Sequence, residues 1–277
     1  MIVYPNAKIN LGLNIVGRRA ADGYHLLETL FYPVPLADVL EVCPQEGGTA
    51  DRLTVYGNDT LADEADNLVL RAARALRTLF PIPPLDVYLS KQIPSGAGMG
   101  GGSADASFML KALRDELALP LDDDKLRELA LTLGADCPFF IGNKPAIGRG
   151  IGEELTPHPL DLSGFTLVLA KPQLHISTAE AFRGLGQIGR WELPLQEVLR
   201  LDMADWPRYL HNDFERSLFP RYAELPRLKA LLYELGAVYA SMTGSGSVIY
   251  GLFAPNHLPD LSPIEALPDT QLWQIGL

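Results

Sequence analysis

The segment Ile93-Pro-Ser-Gly-Ala-Gly-Met-Gly-Gly-Gly-Ser103-Ala104 decides how this chain is read. Before it, Leu85 to Ile93 alternates apolar and polar residues as a strand does, and Pro94 stops the strand. After it, the pattern from about Ser103 to Leu117 is helical. Five glycines fall within the seven residues Gly96 to Gly102, where a plain turn needs one or two. Glycine lets the backbone take positive φ and lets a ligand approach the main chain. The open N–H groups and dipole of a helix N-terminus suit a phosphate. A strand–glycine loop–helix unit that cradles phosphate is therefore expected.

The kind of phosphate site is narrowed by what surrounds the loop. Gly96, Gly98 and Gly101 spell GxGxxG, so a nicotinamide dinucleotide site has to be weighed. The helix after the loop leads to a second helix near Asp123, however, not to the next parallel strand of a dinucleotide-binding unit. A Walker A loop needs a Lys after its glycines, and a protein-kinase loop needs a lysine strand and an HRD segment. Neither is present. The five histidines show no HExxH spacing, and no GxSxG elbow surrounds Ser103, Ser245 or Ser247.

Outward from the loop, strands and helices mix without a regular βαβ repeat, so an α+β class is expected. Strands are read at Lys8 to Val16, Val39 to Cys43 and Leu53 to Tyr56. Asp66-Asn67 offers an N-cap to a helix over Leu68 to Leu76. A helix from Asp123 to Leu133 is expected to stop at Gly134, and Phe139 to Ile141 to be a strand. The segment Gly148 to Gly152 reads as strand and turn, and the Pro-rich stretch Leu155 to Ser163 as a linker. Beyond it come a strand at Phe165 to Ala170, a helix from Thr178 and a helix from Ala223 to Leu235 stopped by Gly236. Two last strands, Ala237 to Met242 and Val248 to Phe253, flank Thr243-Gly-Ser-Gly-Ser247. The end of the chain soon after Trp273 leaves room for only a short or altered final helix.

Composition sets limits. The 277 residues suit one large or two modest domains, and 47% apolar with 21% charged residues is ordinary for a globular protein. With 23 Lys and Arg against 34 Asp and Glu, the net charge is −11, a poor basis for general binding of nucleic acid or anionic membrane. Cys43 and Cys137 lie far apart with no CxxC spacing, which points to a reduced, cytoplasmic protein. Pro5 comes too soon for the apolar region of a signal peptide. Leu235 to Pro259 lacks charged side chains, but Gly, Ser, Thr, Asn, His and Pro interrupt it. It reads as a buried hairpin, not a membrane span.

Three segments in order, Pro5-Asn-Ala-Lys-Ile-Asn-Leu11, Pro94 to Ala104 and Ser241-Met-Thr-Gly-Ser-Gly-Ser247, resemble the three motifs of the GHMP small-molecule kinases. Arg19-Ala-Ala-Asp-Gly-Tyr-His25, Leu27 to Phe31 and Leu133-Gly-Ala-Asp-Cys-Pro-Phe-Phe140 narrow the resemblance to the branch whose acceptor is cytidine diphosphate methylerythritol. The likeness spans residues 2 to about 182 and returns at 236 to 253, while 183 to 222 carries little of it. It implies a two-domain α+β fold. A ribosomal-protein-S5-like N-terminal domain (1–157) would hold the glycine loop, and a ferredoxin-like C-terminal domain (158–277) would follow. It also implies ATP as phosphoryl donor, Mg²⁺, and transfer to an alcohol.

The resemblance assigns roles residue by residue, each beside a plainer reading. Lys8 and Asp136 become the catalytic pair; alone, they read as a solvated strand-end lysine and a helix N-cap before Pro138. ATP is expected on Pro94, Ser95, Gly96, Ala97, Gly98, Met99, Gly100, Gly101, Gly102, Ser103 and Ala104, with Lys91 and Asn67 as further nucleotide contacts. Lys91 is otherwise an ordinary strand lysine, Asn67 a helix cap, and Ser103 either a cap or a Mg²⁺ ligand. The acceptor is expected on Asn10, Tyr24, His25, Thr178, Phe182, Thr243 and Ser245. Tyr24 and His25 would meet the cytosine ring, with Phe182 as a second wall, because a base wants an aromatic face and edge partners. By themselves Tyr24-His25 read as a turn, Phe182 as core, and Thr243 to Ser247 as a hairpin turn. Another GHMP acceptor, homoserine- or mevalonate-like, and a nicotinamide dehydrogenase are the competing readings.

Overall fold

A computed structural model describes residues 1–57, 66–185 and 191–277. The chain opens with β1 (Ile2–Val3), β2 (Asn6–Arg18), β3 (His25–Ala37), β4 (Val39–Pro44) and β5 (Arg52–Tyr56). There follow α1 (Leu68–Arg77), β6 (Leu85–Ser90), α2 (Gly101–Glu116), α3 (Asp123–Leu131) and α4 (Cys137–Gly142). Next come β7 (Ala146–Arg149), β8 (Glu154–Pro157), β9 (Thr166–Pro172), α5 (Thr178–Arg183), α6 (Leu195–Val198), α7 (Trp206–Tyr209) and α8 (Asp213–Leu218). The chain closes with α9 (Glu224–Glu234), β10 (Tyr239–Met242), β11 (Ile249–Phe253), α10 (Ser262–Glu265) and β12 (Thr270–Gly276). The class is α+β, as expected. Two compact units divide these residues: Met1–Lys8, Pro33–Ser95 and Gly100–Lys144 form one, and Ile9–Tyr32, Gly96–Met99 and Pro145–Leu277 the other.

In the first unit, a four-stranded sheet of order β1-β4-β6-β5 carries α1 and α2 on one face. Its inward residues, Leu40, Val42, Leu53, Val87 and Leu89, pack with Val69, Ala73 and Leu76 of α1 and Ala106, Met109 and Leu113 of α2. Asn67 caps α1 by accepting from the Val69 N–H at 2.9 Å, and Asp122 caps α3 through Lys125. Two details differ from the sequence reading. Helix α3 ends at Leu131 rather than running to Leu133 and Gly134. There the Thr132 hydroxyl and amide both take the Leu129 carbonyl, at 2.7 and 3.1 Å. Phe139 to Ile141 are helical, not extended. An apolar run that short has no period of its own, and Pro138 in the first turn favours a helix start.

The second unit contains two sheets, both described within it from Ile9 onward. In the order β2-β3-β7-β8, β7 pairs antiparallel with β3 and with β8. Leu155 to Pro157, read as part of a linker, belong in fact to the edge strand β8; Pro157 is tolerated because it sits at the strand's end on the sheet edge. The other sheet has order β10-β11-β9-β12, antiparallel throughout. Numbered within this βαββαβ run, that order is 2-3-1-4, the ferredoxin-like arrangement the resemblance implied. Val168, Ala170, Ile249 and Phe253 from the sheet pack against Phe214, Leu218, Leu225, Leu228 and Leu232. Gly236 stops α9 at φ +93°: its N–H reaches Tyr233 O at 2.9 Å, and Ala237 N–H reaches Leu232 O at 3.0 Å. The uncharged stretch after Leu235 forms the buried hairpin β10–β11, and no described helix is long and apolar enough to cross a membrane. The final helix, α10, has only four residues, but the chain ends on β12, a strand the sequence reading did not foresee.

Candidate active site

Lys8 is the third residue of β2, flanked by the fully buried Ala7 and Ile9. Asp136 stands at the N-cap position of α4, yet its side chain makes no capping hydrogen bond. It turns instead to Lys8, with Oδ2 3.5 Å from Nζ. The two members differ in burial: the Lys8 side chain is 3% exposed and that of Asp136 36%. Burial pulls the Lys8 ammonium below its ordinary value, and the Asp136 carboxylate opposes that pull. A carboxylate open to a ligand and backed by a buried cation can orient a hydroxyl and take its proton.

The first turn of α2 is tied to the same corner. The Ser107 hydroxyl lies 2.8 Å from the carbonyl oxygens of both Ser103 and Cys137. Burial pushes the Cys137 thiol up to about 11, against hydrogen bonds from Ser103 and Ser107, so the thiol is inert at neutral pH. Ser103 is the third residue of α2, and the cap position belongs to Gly100 at φ +72°. A Cβ on Gly100 would lie 3.0 Å from the Phe140 ring and 3.2 Å from Lys8 Cε, so glycine there keeps the helix start close to Lys8. The first N–H groups of a helix have no partner within it, which leaves the turn beginning at Gly101 and Gly102 suited to an anion.

In the second unit, the loop residues Gly96 to Met99 pack on the Thr243–Ser247 turn. A Cβ on Gly98 (φ +73°) would sit 2.0 Å from the Thr243 carbonyl oxygen, an overlap no side chain can relieve. The Thr243 hydroxyl lies 3.1 Å from Gly98 O, accepts from the Asn10 N–H at 3.1 Å, and lies 3.4 Å from Asn10 Oδ1. Asn10 Nδ2 donates to Thr29 Oγ1 at 3.0 Å, and the Tyr250 hydroxyl donates to Asn10 O at 2.8 Å. Asn10 and Thr243 are both buried, and together they tie β2, the glycine loop and the late turn. Asn212 Nδ2 reaches the carbonyls of Met242 and Gly244 at 2.8 Å each. Ser245 and Thr178 are brought together on the exposed side, their hydroxyls 3.3 Å apart.

The aromatic residues form a second cluster in this unit. His25 and Phe182 stack at 4.6 Å with planes 20° apart, and Phe182 meets Phe214 edge-on at 4.8 Å. As they stand, the His25 and Phe182 rings are in direct contact, with no room for a third ring between them. Arg18 Nε donates to His25 Nε2 at 3.1 Å, and burial, then Arg18, lowers the imidazole pKa. Tyr24 is exposed, with the Arg19 guanidinium 5.6 Å from its ring centre. The span 183–222, which carries little of the resemblance, includes 186–190, which lie outside the described residues.

Lys91 and Asn67 are placed differently from an open nucleotide contact. Asn67 is the α1 cap described above. Lys91 is buried between two carboxylates, Asp38 and Asp105. Sequence reading missed Asp38, Asp105, Ser107 and Thr29, and also His175, whose Nδ1 would be 3.1 Å from a Cβ on Gly96. An acid after β3 and another inside a helix carry no local signal of a shared lysine.

Comparison with known proteins agrees with this layout. Residues 67–144 match the GHMP kinases N terminal domain and residues 195–265 the GHMP kinases C terminal domain. The class is therefore that of the GHMP kinases. A 4-diphosphocytidyl-2-C-methyl-D-erythritol kinase from Porphyromonas gingivalis is 50% identical over 275 residues, covering 99% of this chain and 98% of the relative. A crystal structure of 4-(cytidine 5'-diphospho)-2C-methyl-D-erythritol kinase superposes with a TM-score of 0.81 at 33% identity, covering both chains fully. Mevalonate kinase from Methanococcus jannaschii shares the fold at a TM-score of 0.71 and 13% identity, covering 100% of this chain and 98% of that one. The chain belongs to the 4-diphosphocytidyl-2-C-methyl-D-erythritol kinase family.

Proposed function

We propose that this protein transfers the γ-phosphoryl group of ATP to the 2-hydroxyl of 4-diphosphocytidyl-2-C-methyl-D-erythritol, a step of the non-mevalonate route to isoprenoids. The observation that carries the reading is the Lys8–Asp136 pair beside the first turn of α2, in a chain half identical to a relative of that name. Asp136 orients the acceptor hydroxyl and takes its proton as the new O–P bond forms and the bond to ADP breaks. Lys8 offsets charge on the phosphoryl group in flight. The loop Pro94 to Ala104 holds the polyphosphate, through the backbone N–H groups that follow Pro94.

Mg²⁺ is typically held by one or two protein oxygens together with phosphate oxygens. Among the described residues, no group of three or more carboxylate, imidazole or thiol side chains gathers to hold a metal alone. Ser103 would share the ion: it is a hydroxyl in the first turn of α2, where the phosphate oxygens are expected. Bound Mg²⁺ would neutralise phosphate charge. Tyr24 and the His25–Phe182 stack supply the aromatic surface for cytosine, and Ser245 and Thr178 supply hydroxyls beside it. Neither cysteine is in a disulfide, which suits the cytoplasmic setting we propose.

The test is an ADP-release assay with ATP, Mg²⁺ and a panel of acceptors. Turnover with the cytidine diphosphate compound is expected, and none with homoserine or mevalonate. Equal turnover with the polyol lacking its cytidine group would refute the aromatic pocket.

A further inference from the structure

The glycine loop is clamped at both ends by one buried ammonium. Lys91 follows β6, and its Nζ bonds to Asp38 Oδ2 and, at 2.7 Å, to Asp105 Oδ2. Asp38 reaches further: its Oδ1 accepts the backbone N–H of Gln92 at 2.5 Å and of Ile93 at 2.8 Å. These are the last amides before Pro94 and Ser95, so Asp38 fixes where the loop departs. Asp105 is the fifth residue of α2 and fixes where the loop returns. A Cβ on Gly101 would stand 3.4 Å from Lys91 Nζ and 3.0 Å from Ile93 Cγ2, so the glycine at the helix start leaves room for the ammonium beneath it. All three side chains are buried, and Lys91 is 3% exposed.

The geometry points to Asp38, Lys91 and Asp105 as positioning residues that set the shape of the phosphate loop, with Lys91 acting through the backbone and not by touching the nucleotide. A lysine that binds polyphosphate directly needs its ammonium presented to solvent. This one is turned inward and satisfied by two carboxylates. The triad also joins residues 38, 91 and 105, whose backbones belong to three separate stretches of the chain, at the one place where strand becomes loop and loop becomes helix. Burial is opposed here by charge: Asp105 and Asp38 together outweigh desolvation and hold Lys91 above its ordinary pKa. The inference rests on the loop being the ATP site proposed above.

Asp105→Leu tests it, because it removes the tie at the helix end while leaving Asp38 and Lys91 as a neutral pair. Hydrogen exchange of amides 95–104 in the unliganded protein is expected to rise at least tenfold, with the β9–β12 sheet unchanged. The affinity for a non-hydrolysable ATP analogue is expected to fall at least tenfold, while the acceptor KM stays within twofold. Asp105→Asn, which keeps an oxygen for the ammonium, is expected to restore most of both. If the loop amides stay protected and nucleotide affinity is unchanged while only Tm falls, the triad is a stabilising cluster and the inference is overturned. Tighter nucleotide binding in Asp105→Leu would also overturn it, since a freed lysine would then be meeting the phosphates directly. Failure of the proposed function shows elsewhere, as absent turnover by the wild-type chain, and leaves the exchange experiment to judge the clamp.

Discussion

The first unit contains two buried lysines, and they are treated oppositely. Lys8 meets the Asp136 carboxylate at 3.5 Å, and that carboxylate is itself partly open. Lys91 meets two carboxylates at close range, both buried. Burial wins at Lys8, whose pKa is lowered, whereas the two charges win at Lys91, whose pKa is raised. A cation paired with a carboxylate that solvent reaches is placed to serve a charge that arrives with substrate. A cation saturated by its own protein has its work inside the fold. Burial of the ammonium alone would not separate the two lysines; the openness of the carboxylates they meet does.

The largest effect that would break this contrast lies at the open pair. Asp136→Asn is expected to lower kcat by about 10²- to 10⁴-fold, the usual range for a lost general base. Its Tm should barely move, because the Asp136 side chain caps nothing. Steady-state kinetics beside a thermal melt reads both; kcat within threefold of wild type in a folded variant would end the catalytic assignment.

Next come the lysines themselves, each replaced by methionine. Lys91→Met strands two buried carboxylates and is expected to destabilise by about 3–5 kcal/mol in urea unfolding. Lys8→Met takes the cation from Asp136, which water can reach, and removes a charge that burial already disfavours. Its stability should change by no more than about 1 kcal/mol, the size of a weak exposed pair. Its kcat should nonetheless drop at least tenfold. Equal destabilisation in both variants would erase the distinction drawn between them.

The sequence disclosed these two lysines unequally, for a physical reason. Lys8 and Asp136 sit in local motifs, Pro5 to Leu11 and Leu133 to Phe140, whose residue order carries the resemblance. The partners of Lys91 lie 53 and 14 positions away, and nothing near Asp38 or Asp105 announces a shared ammonium. The glycine loop was legible as a whole, but its individual glycines were not. Gly98 answers to the Thr243 carbonyl and Gly100 to Phe140 and Lys8, contacts that only the folded chain brings about. The same limit explains the elements. Long periodic helices and the β10–β11 hairpin could be read, while Phe139 to Ile141, strand β8 and strand β12 depended on which neighbours they met.

The smallest effect is a slope with pH, and it tests the saturated site from within. Burial raises the Asp105 carboxyl to about 7, with Lys91 opposing and the Asp38 carboxylate adding to the rise. The unfolded chain releases that proton near 3.8. Between those values the native state holds more protons than the unfolded state, so the contribution of Asp105 to stability falls as pH rises from about 4 to about 7. Asp105→Asn cannot ionise and has no such slope. Below about pH 4, where Asp105 is protonated in the folded and the unfolded chain, wild type and variant should unfold at similar urea concentrations. At pH 8 the comparison should move in favour of the asparagine variant, with equal m-values at both pH values. A gap that moves toward wild type as pH rises would mean that the ionised Asp105 gains more from Lys91 than burial takes away. Lys91 would then be more fully compensated than Lys8 by a wider margin than the burial of its partners suggests.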